Sequence, residues 1–223
     1  LPSFIIGDTV IERLNLIQQK WLDNKYYGFN LALNQKAGKF DINYGGSWNR
    51  YDGEHFGIIN WAEYGVPLNY RWYENTGDKE YFNVYASANY ELNSHLNFFA
   101  EIQYRHIDYK IEGIHDDLND ITQSHNFDFW NPKGGIFYTI NENNSAYFSA
   151  AYSNREPNRD IYTDADEIQR ERVTHEKLID YELGYSFRNR KTNINANLFY
   201  MDYKDQLVMT GEINNVGNTI MMN

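Results

Sequence analysis

The sequence predicts an all-β fold, an antiparallel meander of about eight transmembrane β-strands. Apolar and polar residues alternate with period two over segments of about ten residues, the length of a tilted strand that spans a bilayer. Short and long connections also alternate along the 223 residues. Short turns at one rim with long loops at the other are typical of an outer-membrane β-barrel. We therefore expect the chain to lie in a bacterial cell outer membrane and to contact its lipid.

The connections are the first element of this prediction. The short ones are 36–39, 93–95, 141–144 and 188–191, and the long polar stretches between them are 53–79, 112–131 and 154–178. A soluble β-sandwich would have no reason to collect all its long loops at one end. The layout therefore favours a barrel over a sandwich.

The strands on either side of the short turns show the alternation. On one face of the second pair the residues are apolar: Phe82, Val84, Ala86, Ala88, Tyr90 and Leu92, then Leu96, Phe98, Ala100, Ile102 and Tyr104. The last pair has the same pattern, with Leu183, Phe187, Ile194 and Leu198 on the apolar face and Asp180, Glu182, Asn193, Asn195 and Asn197 on the other. Charges and amides at this density cannot face lipid, so we expect the second face to line a lumen.

The two ends of the chain are less regular. Val10, Ile11, Leu14 and Ile17 fit one helical turn or two within a loop, and Gly7 and Asp8 argue against a long helix. Met221, Met222 and Asn223 are predicted to enter a ninth strand.

Composition excludes several classes of function. The net charge is −11, so the chain has no basic stripe to neutralise nucleic-acid phosphates. It contains no cysteine and no apolar run long enough for a transmembrane helix. No nucleophile elbow, P-loop or dinucleotide fingerprint is present. We therefore predict neither an enzyme nor a bound cofactor.

Three motifs in the last third of the chain resemble the barrel of TonB-dependent receptors, particularly those of Bacteroidetes. They are Arg-Glu-Pro-Asn-Arg at 155–159, Glu-Lys-Leu-Ile-Asp-Tyr-Glu-Leu-Gly-Tyr at 176–185 and Tyr-Met-Asp-Tyr-Lys-Asp-Gln-Leu at 200–207. Their order and spacing carry the resemblance. It is strongest over 127–223 and extends in layout to the rest of the chain.

The resemblance implies a 22-stranded barrel with an N-terminal plug domain inside it. It also implies import of a bulky nutrient, such as a metal chelate, a vitamin or a glycan, with energy supplied through a TonB protein. Residues 1–223 contain no plug-like segment and no terminal aromatic strand. We therefore expect an excerpt of the barrel domain, near its C-terminal end but not at it.

Aromatic residues are dense in the first long polar stretch. Aromatic faces stack on sugar rings and flat chelates, so we predict an outer binding vestibule there. Anchoring at the membrane interface and packing within the loop are the alternatives. The predicted ligand-binding residues of this stretch are Trp61, Tyr64, Tyr70 and Trp72, with Tyr73 beside them.

A second candidate group begins where a strand leaves the membrane for the third long stretch. Arg155, Glu156, Asn158 and Arg159 are predicted to contact the ligand or the plug on the lumen wall. The alternative is a salt-bridged network that stabilises the base of the loop and the strand register.

Two further clusters do not meet the requirements of a metal site. Asp160, Asp164, Asp166 and Glu167 lack the glycine of a calcium-binding loop. His106, His115 and His125 recur at intervals that match no helical or hairpin ligand spacing. We predict solvated loop residues and no metal site.

Two other architectures remain open from the sequence. One is a complete eight-stranded outer-membrane barrel that acts as an adhesin or anchor. The other is a soluble all-β domain that binds or cleaves glycans, in which the apolar faces would meet in a core.

Overall fold

The computed structural model describes residues 4–6, 9–11, 14–164, 173–206, 208–213 and 219–222. Eight strands form one antiparallel sheet in the order β10-β9-β8-β7-β6-β5-β4-β3, so each strand pairs with its neighbours in sequence. Its strands are β3 Leu16–Ala37, β4 Phe40–Ala62, β5 Tyr70–Asn93, β6 Leu96–Gly113, β7 Gln123–Asn141, β8 Asn144–Arg155, β9 Glu176–Arg188 and β10 Asn193–Lys204. The predicted meander and the four short turns are confirmed.

The sheet has two edges. Strands β3 and β10 stand at opposite ends of the order, and each has one partner strand in the sheet. A closed eight-stranded barrel would pair these two strands with each other. The described residues therefore agree with an open sheet and not with the small-barrel alternative.

Two short hairpins lie outside this sheet. Strand β1, Phe4–Ile6, pairs with β2, Thr9–Ile11, so the helical turn expected near Val10 is wrong. Strand β11, Val208–Ile213, pairs with β12, Thr219–Met222. The strand predicted at the C-terminal end exists, but it pairs with β11 and does not extend the main sheet. Asn223 lies outside the described residues.

Strands β4 to β7 are longer than the sequence predicted. Most of the expected loops 53–79 and 112–131 is strand, and the connections shorten to 63–69 and 114–122. Strand β4 has 23 residues and β5 has 24, about twice what a bilayer crossing needs. The third long connection persists, and it contains helix α1, Arg159–Asp164.

The chain divides into two compact units, which are described separately. Unit 1 comprises residues 1–28, 49–80 and 107–126, and unit 2 comprises 29–48, 81–106 and 127–223. Unit 1 has an apolar interior drawn from β4, β5, β6 and the connection after β6. Its buried side chains are Ile59, Tyr73, Asn75, Ile107, Tyr109, Ile111 and Ile121.

Unit 2 separates apolar from polar residues on the two faces of its strands. Cross-strand register places Ile136 opposite Phe148, Phe148 opposite Leu183, and Leu183 opposite Leu198. These four side chains form an apolar row, and all four are more than two-fifths exposed. The next row is Phe137, Tyr147, Gly184 and Asn197. The alternation predicted for the membrane-spanning segments is therefore present in the pairing itself.

A close contact between Tyr147 and Gly184 stabilises the register of β8 and β9. Tyr147 lies directly opposite Gly184, and a Cβ atom on that glycine would be 1.9 Å from the tyrosine ring. The Tyr147 hydroxyl donates a hydrogen bond to Glu182 at 3.3 Å. Because the ring covers the glycine backbone, a larger residue at 184 would displace the ring. Among the described residues, no helix is long and apolar enough to span a membrane.

Candidate functional site

Three of the predicted aromatic residues lie exposed around the connection between β4 and β5 in unit 1. Trp61 is 48% exposed near the end of β4, Tyr64 is 53% exposed in the connection, and Tyr70 is 46% exposed at the start of β5. Leu68, in the same connection, is 75% exposed. An aromatic and apolar surface of this kind can stack on a flat or ring-shaped molecule.

Trp72 has a different environment from the other three. Its ring packs edge-on against Tyr73 with centroids 4.9 Å apart, and Tyr73 is buried. A Cβ atom on Gly57 would lie 2.3 Å from the Trp72 ring, so this ring covers the β4 backbone. The packing alternative therefore accounts for Trp72 and Tyr73, while Trp61, Tyr64 and Tyr70 keep exposed faces.

Next to the exposed aromatic residues, Arg71 forms a cluster with an aromatic ring and two carboxylates. The Arg71 guanidinium lies 4.0 Å from the centre of the Phe56 ring and pairs with Glu54 at 2.7 Å and Glu74 at 2.9 Å. Trp21 also stacks on Phe56, with the two ring planes 11° apart. Sequence reasoning missed this cluster, because its members come from three strands.

The connection after β6 is a folded element of unit 1. Ile121 is fully buried, the backbone N–H of Ile114 donates to the Glu74 carbonyl, and the Asn75 side chain donates to the Ile114 carbonyl at 2.9 Å. Asp116 forms an ion pair with Lys20 on β3. These contacts hold the connection against β5 and β3.

The turn within this connection contains His115. Burial acts to raise the pKa of Asp117, but hydrogen bonds from Asn119 and the nearby His115 together lower that pKa below its usual value. The Asn119 backbone and side chain both donate to the Asp117 carboxylate, at 3.1 and 2.8 Å. His115 is therefore part of a local turn structure.

The second candidate group lies in unit 2 at the start of the third long connection. Glu156 accepts a hydrogen bond from Arg105 on β6 at 2.9 Å, and both side chains are only 18% exposed. Arg105 also donates to the Asn154 carbonyl at 3.2 Å. Its guanidinium lies 5.4 Å from the Tyr81 ring and 5.6 Å from that of Phe129. The salt-bridged network at the base of the loop accounts for Glu156.

Amide groups extend this network. The buried Asn154 donates from its backbone and its side chain to the Asn131 side-chain oxygen, at 2.9 and 3.1 Å. Asn131 in turn donates to Gln103 at 3.1 Å. Arg105, Asn131 and Asn154 were not among the predicted site residues. In the sequence, Arg105 belongs to the polar face of its predicted strand, whereas Asn131 and Asn154 stand at the ends of two predicted long polar stretches.

The remaining predicted residues of this group are placed differently. Arg155 and Asn158 are exposed, and Arg159 is half-buried at the start of α1. Ile161 and Tyr162 on α1 are buried. The predicted aromatic and charged groups belong to different units, and their contacts with a ligand stay predictions.

The predicted histidines each contact a nearby polar group. His106 and Asp128 are 2.8 Å apart, and His125 lies 3.0 Å from the Gln123 side chain. Within the described ranges, no three potential ligand residues cluster to hold a metal ion. Asp166 and Glu167 lie outside those ranges.

The fold defines a class: a sheet of consecutive antiparallel strands with apolar and polar faces, part of an outer-membrane β-barrel. The family model of the β-barrel of TonB-dependent receptor-like proteins matches residues 6–221. The chain belongs to this family. Its members are transporters of the Gram-negative outer membrane and not enzymes. No curated protein matches the chain.

Solved structures similar to the chain share its fold at low sequence identity. The copper transporter OprC aligns with a TM-score of 0.74 and 10% identity, covering 92% of this chain and 34% of that one. The ferric-catecholate import receptor Fiu of E. coli K12, in its closed form, aligns with a TM-score of 0.64 and 16% identity, covering 91% and 34%. The ferric yersiniabactin uptake receptor FyuA of Yersinia pestis aligns with a TM-score of 0.58 and 16% identity, covering 92% and 32%. The chain therefore spans about a third of the length of these receptors.

Proposed function

We propose that the chain forms part of the barrel wall and outer loops of a TonB-dependent transporter that imports a bulky nutrient. The observation that carries this proposal is the family match over residues 6–221. In the full receptor, the partners would be a plug domain in the lumen, a TonB protein, and a small-molecule or glycan ligand. The 22-stranded architecture and the Bacteroidetes origin are part of the same proposal.

The exposed rings around the β4–β5 connection are the proposed first contact for the nutrient. Trp61, Tyr64 and Tyr70 offer apolar faces at the end of unit 1 that carries the long connections. The metal chelates and glycans considered for this family present flat or ring-shaped surfaces, which stack on such side chains. Arg155 and Asn158, both exposed, are separate proposed contacts in unit 2.

The charge of unit 1 narrows the proposed cargo. Its sequence ranges carry 14 Asp and Glu against 7 Lys and Arg, a net charge of −7. A surface of one sign attracts ligands of the opposite sign and repels those of its own. The acidic surface therefore favours a neutral or cationic nutrient over a strongly anionic one.

Binding to the full receptor in detergent tests these contacts. We would titrate it by calorimetry with a series of neutral oligosaccharides, a neutral metal chelate and an anionic ferric catecholate. Replacing Tyr64 or Trp61 by alanine should weaken binding of the accepted probe about two- to twelvefold through loss of stacking. Tyr138→Ala removes an equally exposed ring from the apolar face and should leave the affinity unchanged.

Uptake by cells tests the transport proposal. Cells that express the receptor should accumulate the accepted probe only when TonB is present. Accumulation that persists without TonB would contradict active transport. Equal losses of affinity in Tyr64→Ala and Tyr138→Ala would contradict the proposed contact surface.

A further inference from the structure

A pocket of about 540 Å³ lies on the polar face of unit 2, beside the short turn between β7 and β8. Small-molecule sites usually have volumes of about 300–1,000 Å³, so the pocket is large enough for a ligand. Two neighbouring rows of residues cross β7, β8, β9 and β10 at this position. The row nearer the turn is Thr139, Ser145, Ser186 and Asn195. The next row is Phe137, Tyr147, Gly184 and Asn197, and all of these residues except Gly184 line the pocket.

Two aromatic side chains of the second row are neighbours. Phe137 on β7 is directly opposite Tyr147 on β8. Phe137 is 42% exposed although it belongs to the polar face. Tyr147 is held in place, because its ring covers Gly184 and its hydroxyl donates a hydrogen bond to Glu182. An exposed ring beside a fixed one is a surface on which the apolar side of a sugar ring can stack.

Polar side chains around the two rings have unused hydrogen-bonding groups. In the part of the chain that the structure describes, no hydrogen bond joins another residue to the side chain of Thr139, Ser145, Ser186, Asn195 or Asn197. Hydroxyl and amide groups both donate and accept. Neighbouring strands are about 4.8 Å apart, so the row nearer the turn extends over about 14 Å. It can therefore bond several hydroxyl groups of one oligosaccharide.

The two rows contain no charged residue, although the chain has a net charge of −11. Among the described residues that line the pocket, only Glu142 and Arg188 are charged, and their charges are of opposite sign. A strongly anionic chelate would therefore find no surplus of positive charge here. A neutral ligand with many hydroxyl groups fits this lining better.

We propose that the pocket is a subsite for a neutral oligosaccharide on the wall of the lumen. Phe137 has Thr139 and Tyr147 as neighbours on this face, so a ligand that covers it must present both apolar and hydroxyl surface, as a sugar ring does. Short turns lie on the periplasmic side of outer-membrane barrels, so the cargo would reach this subsite late in its passage. The inference rests on the proposed transport function and narrows its cargo to a glycan.

Calorimetry on the full receptor in detergent tests the subsite, with maltohexaose, cellohexaose and mannohexaose as probes. The measurements use a Trp61→Ala/Tyr64→Ala background, which weakens the proposed outer contact so that the remaining binding reports the pocket. In this background, Phe137→Ala should weaken binding of the preferred hexasaccharide about two- to twelvefold through loss of stacking. Asn195→Leu keeps the size of the side chain but removes its donors and acceptor, and should weaken binding by a similar factor, about two- to twelvefold.

Two matched variants in the same background make the test specific. Tyr138→Ala removes a similarly exposed ring from the adjacent position on the apolar face. Asn30→Leu makes the amide change on β3, between Phe29 and Leu31 and outside the pocket. Both should bind as the background does. Equal losses in Phe137→Ala and Tyr138→Ala, or in Asn195→Leu and Asn30→Leu, would overturn the subsite. Heat-modifiable gel migration confirms folding, and if Asn195→Leu does not fold, Asn197→Leu takes its place.

Uptake by cells separates a failure of the subsite from a failure of the transport proposal. TonB-dependent uptake of a hexasaccharide should fall in Phe137→Ala and not in Tyr138→Ala. Uptake of a neutral metal chelate but of none of the hexasaccharides would overturn the sugar assignment and leave the transport proposal intact. Absence of TonB-dependent uptake for every probe would refute the transport proposal itself.

A contact between the pocket and the plug is the other outcome that the variants can reveal. If Phe137→Ala made the plug of the full receptor sensitive to protease and left hexasaccharide binding unchanged, the pocket would belong to the plug and the inference would be wrong. We expect the plug to stay protected in this variant, as in Tyr138→Ala.

Discussion

Replacing Gly184 by alanine tests the strand register of the polar face. The new Cβ atom would lie 1.9 Å from one ring carbon of Tyr147 and 2.5 Å from another. The tyrosine ring would have to leave its position across β8 and β9. Overpacking of this kind costs about 1–3 kcal/mol. We expect that loss in the free energy of unfolding of the full receptor, measured by urea titration in detergent micelles.

Two comparisons separate this steric effect from a general effect of losing a glycine. At Gly134 the nearest atom to a new Cβ is the Phe99 carbonyl oxygen at 3.5 Å, an ordinary contact, so Gly134→Ala should change stability little. In a Tyr147→Ala background the clash is gone, and Gly184→Ala should cost nothing. The coupling energy of the two changes should therefore be about 1–3 kcal/mol. Additive effects, or equal losses at Gly134 and Gly184, would refute the pairing of Tyr147 with Gly184.

Three further predictions concern the Arg105–Glu156 ion pair, the apolar and polar faces of the strands, and the dependence of stability on pH. Arg105→Gln should lower the free energy of unfolding by about 2 kcal/mol, because the ion pair between Arg105 and Glu156 would be lost; urea titration should show a smaller loss for Arg105→Lys. Ala86→Arg should cost about 2–4 kcal/mol if it lies near the bilayer midplane, and Asn195→Ser should cost little; equal folding yields would contradict the assigned faces. Burial lowers the pKa of His125 in the folded chain, so the unfolded chain takes up the proton first as pH falls through about 6.5. Stability should therefore be full above this pH and decline below it, and His125→Gln should flatten the decline in melting temperature between pH 7.5 and 5.5.

The antiparallel order of the strands could be predicted because it depends on local features. Short turns force neighbouring segments into hairpins, and period-two patterning is visible within each segment. The lengths of β4 to β6 could not be predicted in the same way. In β6 the apolar positions change from even numbers, such as Phe98 and Ile102, to odd numbers, such as Ile107 and Ile111. Because the alternation changes phase within β6, the sequence predicts that the strand ends and a polar loop follows. In the structure the strand continues through this change to Gly113.

The candidate site was predictable in part. The residue types of Trp61, Tyr64 and Tyr70 predicted an exposed aromatic surface, and these three side chains are exposed. Trp72 has the same residue type but packs on β4, and only the position of Gly57 on the neighbouring strand explains the difference. The ligand contacts of all four residues remain predictions.

The sequence by itself determined the fold class, the family and the separation of apolar from polar faces, because each depends on the order and spacing of nearby residues. The tertiary structure decided which candidate side chains pack against neighbouring residues, as Trp72 and Glu156 do, and which are exposed, as Trp61 and Tyr64 are. Arg105 and Glu156 are 51 positions apart, and their ion pair forms only because the sheet brings β6 and the end of β8 within reach. Burial and pairing across strands depend on register, and no local pattern in the sequence contains the register of distant segments.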